Sequence, residues 1–210
     1  MRWKGARQSD NFKDSRGSRG GKIALGGIGS LIVLVIAFMT GGDPSQLLQQ
    51  IEGGGGTASG PVEISAEEQE LTEFSRVVLA STEDVWSKLF QQSGSQYIPS
   101  TLHVYSGGVQ TGGCGYGSAT FGPFYCPGDQ MVYLDLSFNQ ELQQRFGAKG
   151  EFALAYVIAH EIGHHVQQLL GVLQEVQSLR GRLSEAEFNK RMVQLELQAD
   201  FYAGVWAHHA

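Results

Sequence analysis

His160-Glu161-Ile162-Gly163-His164 is the stretch of this sequence best suited to do chemistry. Residues four apart on a helix lie one turn above each other on the same face, so two such imidazoles can reach one tetrahedral zinc. Glu161 points beside that metal rather than at it. A carboxylate placed there can take a proton from an activated water and act as a general base. Two histidines and a glutamate at these spacings arise by chance in about one chain of this length in a hundred. The flanks therefore have to decide.

The motif sits inside an apolar run from Phe152 to Leu170 that holds no proline and is closed by Gly171. This pattern predicts a core helix ending on a glycine cap. Burying Glu161 and several imidazoles in such a helix is costly unless they are paired or bind metal. A wet end of a surface helix is the blander reading, and the apolar N-terminal half argues against it. Zinc needs a third protein ligand and one open position. Downstream, Glu196-Leu-Gln-Ala-Asp200 supplies carboxylates at i and i+4. Ser184 and Glu187 form a capping-box signature ahead of it. Phe188, Met192, Leu195, Ala199, Tyr202 and Trp206 then recur at helical spacing. Glu196 can ligate, while Asp200 accepts a hydrogen bond from the spare nitrogen of a ligand histidine and orients its ring. Alone, the two would read as an ordinary acidic pair on a solvated face. Beside H-E-x-x-H they read as the missing half of a site.

The remaining histidines and acids draw weaker expectations. His165 lies about 100° round the helix from His164, which points it away from a shared metal and towards contacts around the site or the surface. His103 and Asp135, both on strand-like segments, read as packing and structural hydrogen bonding. A tetrahedral oxyanion needs a further donor. Tyr202, His208 and His209 are available, but helical phase does not place Tyr202 beside Glu196, so the role stays unassigned.

The elements around the site follow from pattern. Ser65 with Glu68 opens a helix through Ala80, and Thr82 restarts one to Gln92. Thr101–Tyr105 and Met131–Leu136 read as strands, separated by a long glycine-rich loop. The last strand before the H-E-x-x-H helix is the candidate edge on which an extended peptide could pair, with a fully paired inner strand as the alternative. Cys114 and Cys126 could close a small loop as a disulfide or act as zinc ligands; their wide spacing and an oxidising compartment favour the disulfide.

Charge is distributed unevenly. The first 22 residues carry seven Lys or Arg against two Asp, while the rest carries eight against nineteen, for a net charge of −6. An apolar run of 18 residues, Ile23 to Thr40, follows the basic end. The expectation is a basic cytoplasmic segment at 1–22, a transmembrane anchor at 23–40, a flexible glycine-rich linker at 41–64 and one domain at 65–210. A cleavable signal peptide is the competing reading, with no small-residue cleavage site evident after Thr40. The basic charges beside an apolar span are explained by topology and anionic lipid, so no nucleic-acid partner is expected.

H-E-x-x-H followed by a helix with E-x-x-x-D resembles the gluzincin arrangement. More closely, the chain resembles a bacterial family of neutral zinc metallopeptidases. The likeness rests on Gly122-Pro-Phe-Tyr-Cys-Pro127, Val132-Tyr-Leu-Asp-Leu-Ser-Phe138, the run Ala155 to Gln167, Glu196-Leu-Gln-Ala-Asp200 and Tyr202-Ala-Gly-Val-Trp-Ala207. It covers essentially the whole chain. The resemblance implies an α+β, mainly helical, zincin-like domain with a small antiparallel sheet, preceded by one transmembrane helix. It implies one zinc per chain held by His160, His164 and Glu196, with Glu161 as general base in peptide-bond hydrolysis. It places the domain outside the bacterial inner membrane with the N-terminus inside. Two departures stand out: Phe201 occupies a position where relatives often carry cysteine, and the chain stops at Ala210 within the helical pattern, as a truncated member would. A non-catalytic zinc-binding envelope protein, or hydrolysis of another amide, are the rival functions. An open fourth metal position separates enzyme from structural site.

Overall fold

In the computed structural model, residues 3–16, 64–146 and 151–210 are described. The expected anchor at 23–40 lies outside them, as does all of the expected linker except Ile64. Among the described residues no helix is long and apolar enough to cross a membrane.

The expected pair of helices after residue 65 is one continuous helix, α1, Ala66–Gln92. Its start is the predicted capping box, with Ser65 and Glu68 satisfying each other's backbone N–H groups. Thr82 does not restart a helix. Its hydroxyl donates to the Leu79 carbonyl at 2.7 Å, within the helix, so a typical capping residue is absorbed by a local bond.

The main sheet holds β1 (Phe12–Asp14), β2 (Thr101–Tyr105), β5 (Phe124–Cys126) and β6 (Met131–Asp135), in the order β1-β2-β6-β5. It is not the antiparallel sheet expected. β1, β2 and β6 are parallel, and only β5 runs against its neighbour. The reason lies in the connections. A tight turn closed by Gln130 N–H on the Cys126 carbonyl at 2.8 Å reverses the chain between β5 and β6, whereas a long crossover returns β6 alongside β2. The glycine-rich stretch is more ordered than a loop. It contains the hairpin β3 (Gly108–Gln110) with β4 (Tyr116–Ser118), a 3-10 turn at Ala119–Phe121, and β5 itself. Cys114 and Cys126 are joined as a disulfide with Cα atoms 5.8 Å apart, which excludes them as metal ligands. Gly113 and Gly128 pass so closely that a Cβ on Gly113 would lie 2.5 Å from the Gly128 Cα.

Residues 3–16, read from charge as a separate cytoplasmic segment, belong to the same compact body as 64–210. Trp3 is buried against Phe74, and its indole N–H donates to Glu151 at 2.7 Å. β1 adds to the free edge of β2.

The helices α2 (Phe138–Phe146), α3 (Glu151–Leu169), α4 (Val172–Ser178) and α5 (Glu185–His209) complete the domain. α3 buries Leu154, Ala155, Ile158, Ala159, Ile162 and Val166, a stripe at helical spacing, in the core shared with α1 and the sheet. Gly171, at φ 77°, ends the helix in the left-handed conformation expected of it. α5 opens on the predicted Ser184–Glu187 capping box.

Candidate metal centre

α3 carries the H-E-x-x-H residues and α5 carries Glu196 and Asp200. The two helices approach closely because position 163 is glycine. A Cβ there would lie 2.9 Å from the Ala199 carbonyl oxygen and 3.1 Å from its Cα. That close packing brings the side chains together across the interface. Glu196 Oε2 stands 3.3 Å from His160 Nε2 and 3.4 Å from His164 Nε2. Ligand atoms about 2.0–2.1 Å from a tetrahedral zinc lie roughly 3.3–3.4 Å from one another. One ligand atom from each of the three residues falls within 4.8 Å of the others. Two imidazole nitrogens and one carboxylate oxygen are a donor set that fits zinc and leaves one position free.

Each histidine is oriented from behind. His160 Nδ1 is 2.8 Å from Asp200 Oδ1. A carboxylate only accepts, so Nδ1 carries the hydrogen and Nε2 presents its lone pair towards Glu196. The same Asp200 oxygen accepts from the Tyr156 hydroxyl at 2.8 Å. Burial, reinforced by this hydrogen bond to Asp200, pushes the Tyr156 phenol up to about 12 and keeps it a donor. His164 Nδ1 is 2.9 Å from Gln167 Oε1. Burial holds the His164 imidazole below its ordinary value, favouring the neutral form that a ligand needs. Tyr156 and Gln167 were not singled out in the sequence. Their spacing, i−4 from His160 and i+3 from His164, was the available signal.

Glu161 is buried beside the ligands. Its carboxyl is pushed up to about 8, first by burial and then by the negative charge of Glu196. The backbone N–H of Tyr125 opposes this. Tyr125 lies on β5, one of the two edge strands of the main sheet. The expectation that the last strand before the helix forms this edge is overturned. That strand, β6, is paired on both sides, to β2 and to β5. The edge beside the general-base candidate is one strand earlier.

His165 is fully buried and makes no approach to the surface. Its Nε2 is 2.7 Å from the Ile98 carbonyl, an obligate acceptor, so Nε2 is the donor and Nδ1 accepts the Tyr125 hydroxyl at 3.0 Å. Both nitrogens are spent on holding α3 to β5 and the chain at Ile98. Asp135 is structural, as expected: its carboxylate accepts the Gly107 and Ser137 N–H groups at 2.6 and 2.9 Å. His103 packs on Tyr133 and meets the Ser15 hydroxyl at 2.9 Å. Tyr202 packs edge-on against Trp86, away from the ligands as helical phase required. His208 and His209 stand on the exposed last turn of α5.

The chain belongs to the family described as "Putative neutral zinc metallopeptidase", which matches residues 1–210. It is 44% identical over 220 residues to the uncharacterized protein YpfJ of Escherichia coli strain K12, covering 99% of this chain and 75% of that protein. It is 47% identical over 131 residues to the uncharacterized protein Rv2575 of Mycobacterium tuberculosis, covering 62% of this chain and 41% of that protein. No solved structure matches the chain.

Proposed function

We propose that the chain hydrolyses peptide bonds at one zinc held by His160, His164 and Glu196. Convergence of the three ligand atoms, with Glu196 at tetrahedral spacing from each histidine nitrogen, is the observation that carries this reading. Zinc, when bound, would acidify a water and polarise the scissile carbonyl. Glu161 would accept the proton at its carboxylate and return it to the leaving amine. Its buried position keeps bulk water from competing for that proton. The pull of the cation would draw its pKa back from the raised value towards neutrality, where a base and acid works best. Asp200, with Tyr156, would hold the His160 ring in place.

Substrate would lie along β5. An extended peptide can add to a free sheet edge through backbone hydrogen bonds alone, which places little demand on its side chains. The Tyr125 N–H contact to Glu161 ties this edge to the general base. An edge strand beside the metal helix, antiparallel to the rest of its sheet, supports the zincin-like reading of the domain. The test is Glu161→Gln. The variant should bind zinc as wild type does and lose at least about a hundredfold in cleavage of an unfolded protein. A variant as active as wild type would overturn the mechanism. Stoichiometric zinc without any cleavage by wild type would favour the structural role.

A further inference from the structure

We propose that Gln167 is a positioning residue for the metal ligand His164, fixing its tautomer and tying it to the helix that carries Glu196. This rests on the metal-centre reading above. The side chain is fully buried and makes three hydrogen bonds. Its Nε2 donates to the Leu195 carbonyl at 2.7 Å and to Gln198 Oε1 at 3.0 Å. Its Oε1 faces His164 Nδ1 at 2.9 Å. The amide cannot be turned round, because that would set its carbonyl oxygen against the Leu195 carbonyl, two acceptors in contact. With Oε1 facing the ring, Nδ1 must carry the hydrogen. Nε2 of His164 is then left with its lone pair directed towards Glu196.

The residue type follows from the same geometry. Asp200 performs the equivalent task for His160 with a charge, at a half-exposed position. Position 167 is fully buried and must also donate to Leu195, next in sequence to Glu196. A carboxylate can do neither at low cost. A neutral amide does both, and it links the two ligand-bearing helices through the residue before the third ligand.

The test compares wild type with Q167L and Q167E by zinc competition against a chelator and by nitrogen NMR of the imidazoles in metal-free protein. Wild-type His164 is expected as the Nδ1–H form. Q167L should show mixed tautomers at His164 and bind zinc about 10–100-fold more weakly. His165, which is held by other partners, should keep its Nε2–H form and serves as the internal control. Q167E keeps an acceptor towards His164, so it should keep the Nδ1–H form even if the protein melts earlier. An Nε2–H form in wild type, or wild-type tautomer and zinc affinity in folded Q167L, would overturn the proposal. Should Q167L fail to fold, the wild-type and Q167E tautomers decide it. If wild type binds no zinc, the metal-centre reading falls, and the tautomers alone still decide the role of Gln167.

A separate observation carries a second inference, independent of any enzyme activity. Residues 3–16 are built into the domain. All three residues of β1 pair with β2, and Ser9 N–H bonds the Arg76 carbonyl at 3.0 Å. The buried Glu83 accepts from Ser9, Asn11 and Arg7. Arg16 is buried with Asp14 and Thr72. Without this segment, Glu83 would be left in the core with none of these donors. We infer that residues 3–16 and 64–210 occupy one compartment, so that residues 17–63 begin and end on the same face of any membrane they meet. A single crossing at 23–40 would part β1 from β2. Cysteines placed at the exposed positions Gln8 and Ser178, one per variant, can be labelled with an impermeant thiol reagent in intact and lysed bacteria, against wild type as background. Both should label alike. Labelling of one before lysis and the other only after it would overturn the inference.

Discussion

Gly163 and Ala199 set the distance between the two halves of the candidate metal centre. No Cβ fits at position 163 without moving the backbone of α5, since the nearest atoms are the carbonyl oxygen and Cα of Ala199 at 2.9 and 3.1 Å. The two inner positions of H-E-x-x-H are usually written as free. Here one of them is constrained by the helix that brings Glu196.

Gly163→Ala tests that constraint. Helix propensity alone predicts a gain of about 1 kcal/mol for this change. Steric conflict with backbone, which cannot swing aside as a side chain can, should outweigh it and leave a net loss of about 1–3 kcal/mol. Separation of Glu196 from the histidines should weaken zinc binding as well. Thermal melting with chelator competition reads both, and a stabilised variant with normal zinc affinity would show that α5 gives way freely.

Asp200→Asn keeps the size of the side chain and removes its charge. Zinc affinity should fall about 10–100-fold, because His160 loses the carboxylate that orients it and raises its basicity. Tyr156→Phe leaves that carboxylate in place and should cost less. Equal losses in the two variants, measured by competition titration, would mean that the phenol rather than the charge positions His160.

In the metal-free protein two buried histidines should cost stability on mild acidification. Burial lowers the pKa of both His164 and His165 below the ordinary histidine value. The unfolded chain therefore binds these protons more readily than the folded one. The histidine share is full above about pH 6.5 and falls as the pH drops below it, with a slope of up to about 1.4 kcal/mol per pH unit for each histidine. Glu161, pushed up to about 8, works in the opposite sense, its share full below about pH 4.5 and lost as the pH rises through about 8. Denaturant melts in chelator from about pH 6.5 to 5, compared between wild type and a histidine variant, isolate the histidine share from that of Glu161. His165→Gln, which can still donate to Ile98 and accept from Tyr125, should lose less stability than wild type over that range.

Reduction of Cys114–Cys126 should destabilise the domain by about 3 kcal/mol, the loop-closure value for a bridge of this span. The metal ligands lie on other elements, so zinc affinity should change little. Cleavage should suffer more than binding, because Cys126 ends the edge strand that holds Tyr125 against Glu161. Melting, zinc titration and proteolysis with and without reductant separate the three effects.

The sequence by itself determined what depends on a single helix. The two capping boxes, the glycine stop at 171 and the turning of Tyr202 away from Glu196 follow from local helix chemistry and the 3.6-residue period, and the structure bears each out. Even the partners Tyr156 and Gln167 lay within one turn of a ligand. Tertiary structure decided what depends on neighbours distant in the chain. Strand order is a matter of which edges remain unpaired once all strands have docked, and no local pattern reveals that β5 rather than β6 is left at the edge. Nor could charge counting show that the basic N-terminus docks onto the domain, because Trp3, Ser9 and Arg16 find their partners on α1 and α3, more than fifty residues away. The same holds for Gly163. Its necessity becomes visible only when α5 arrives against it.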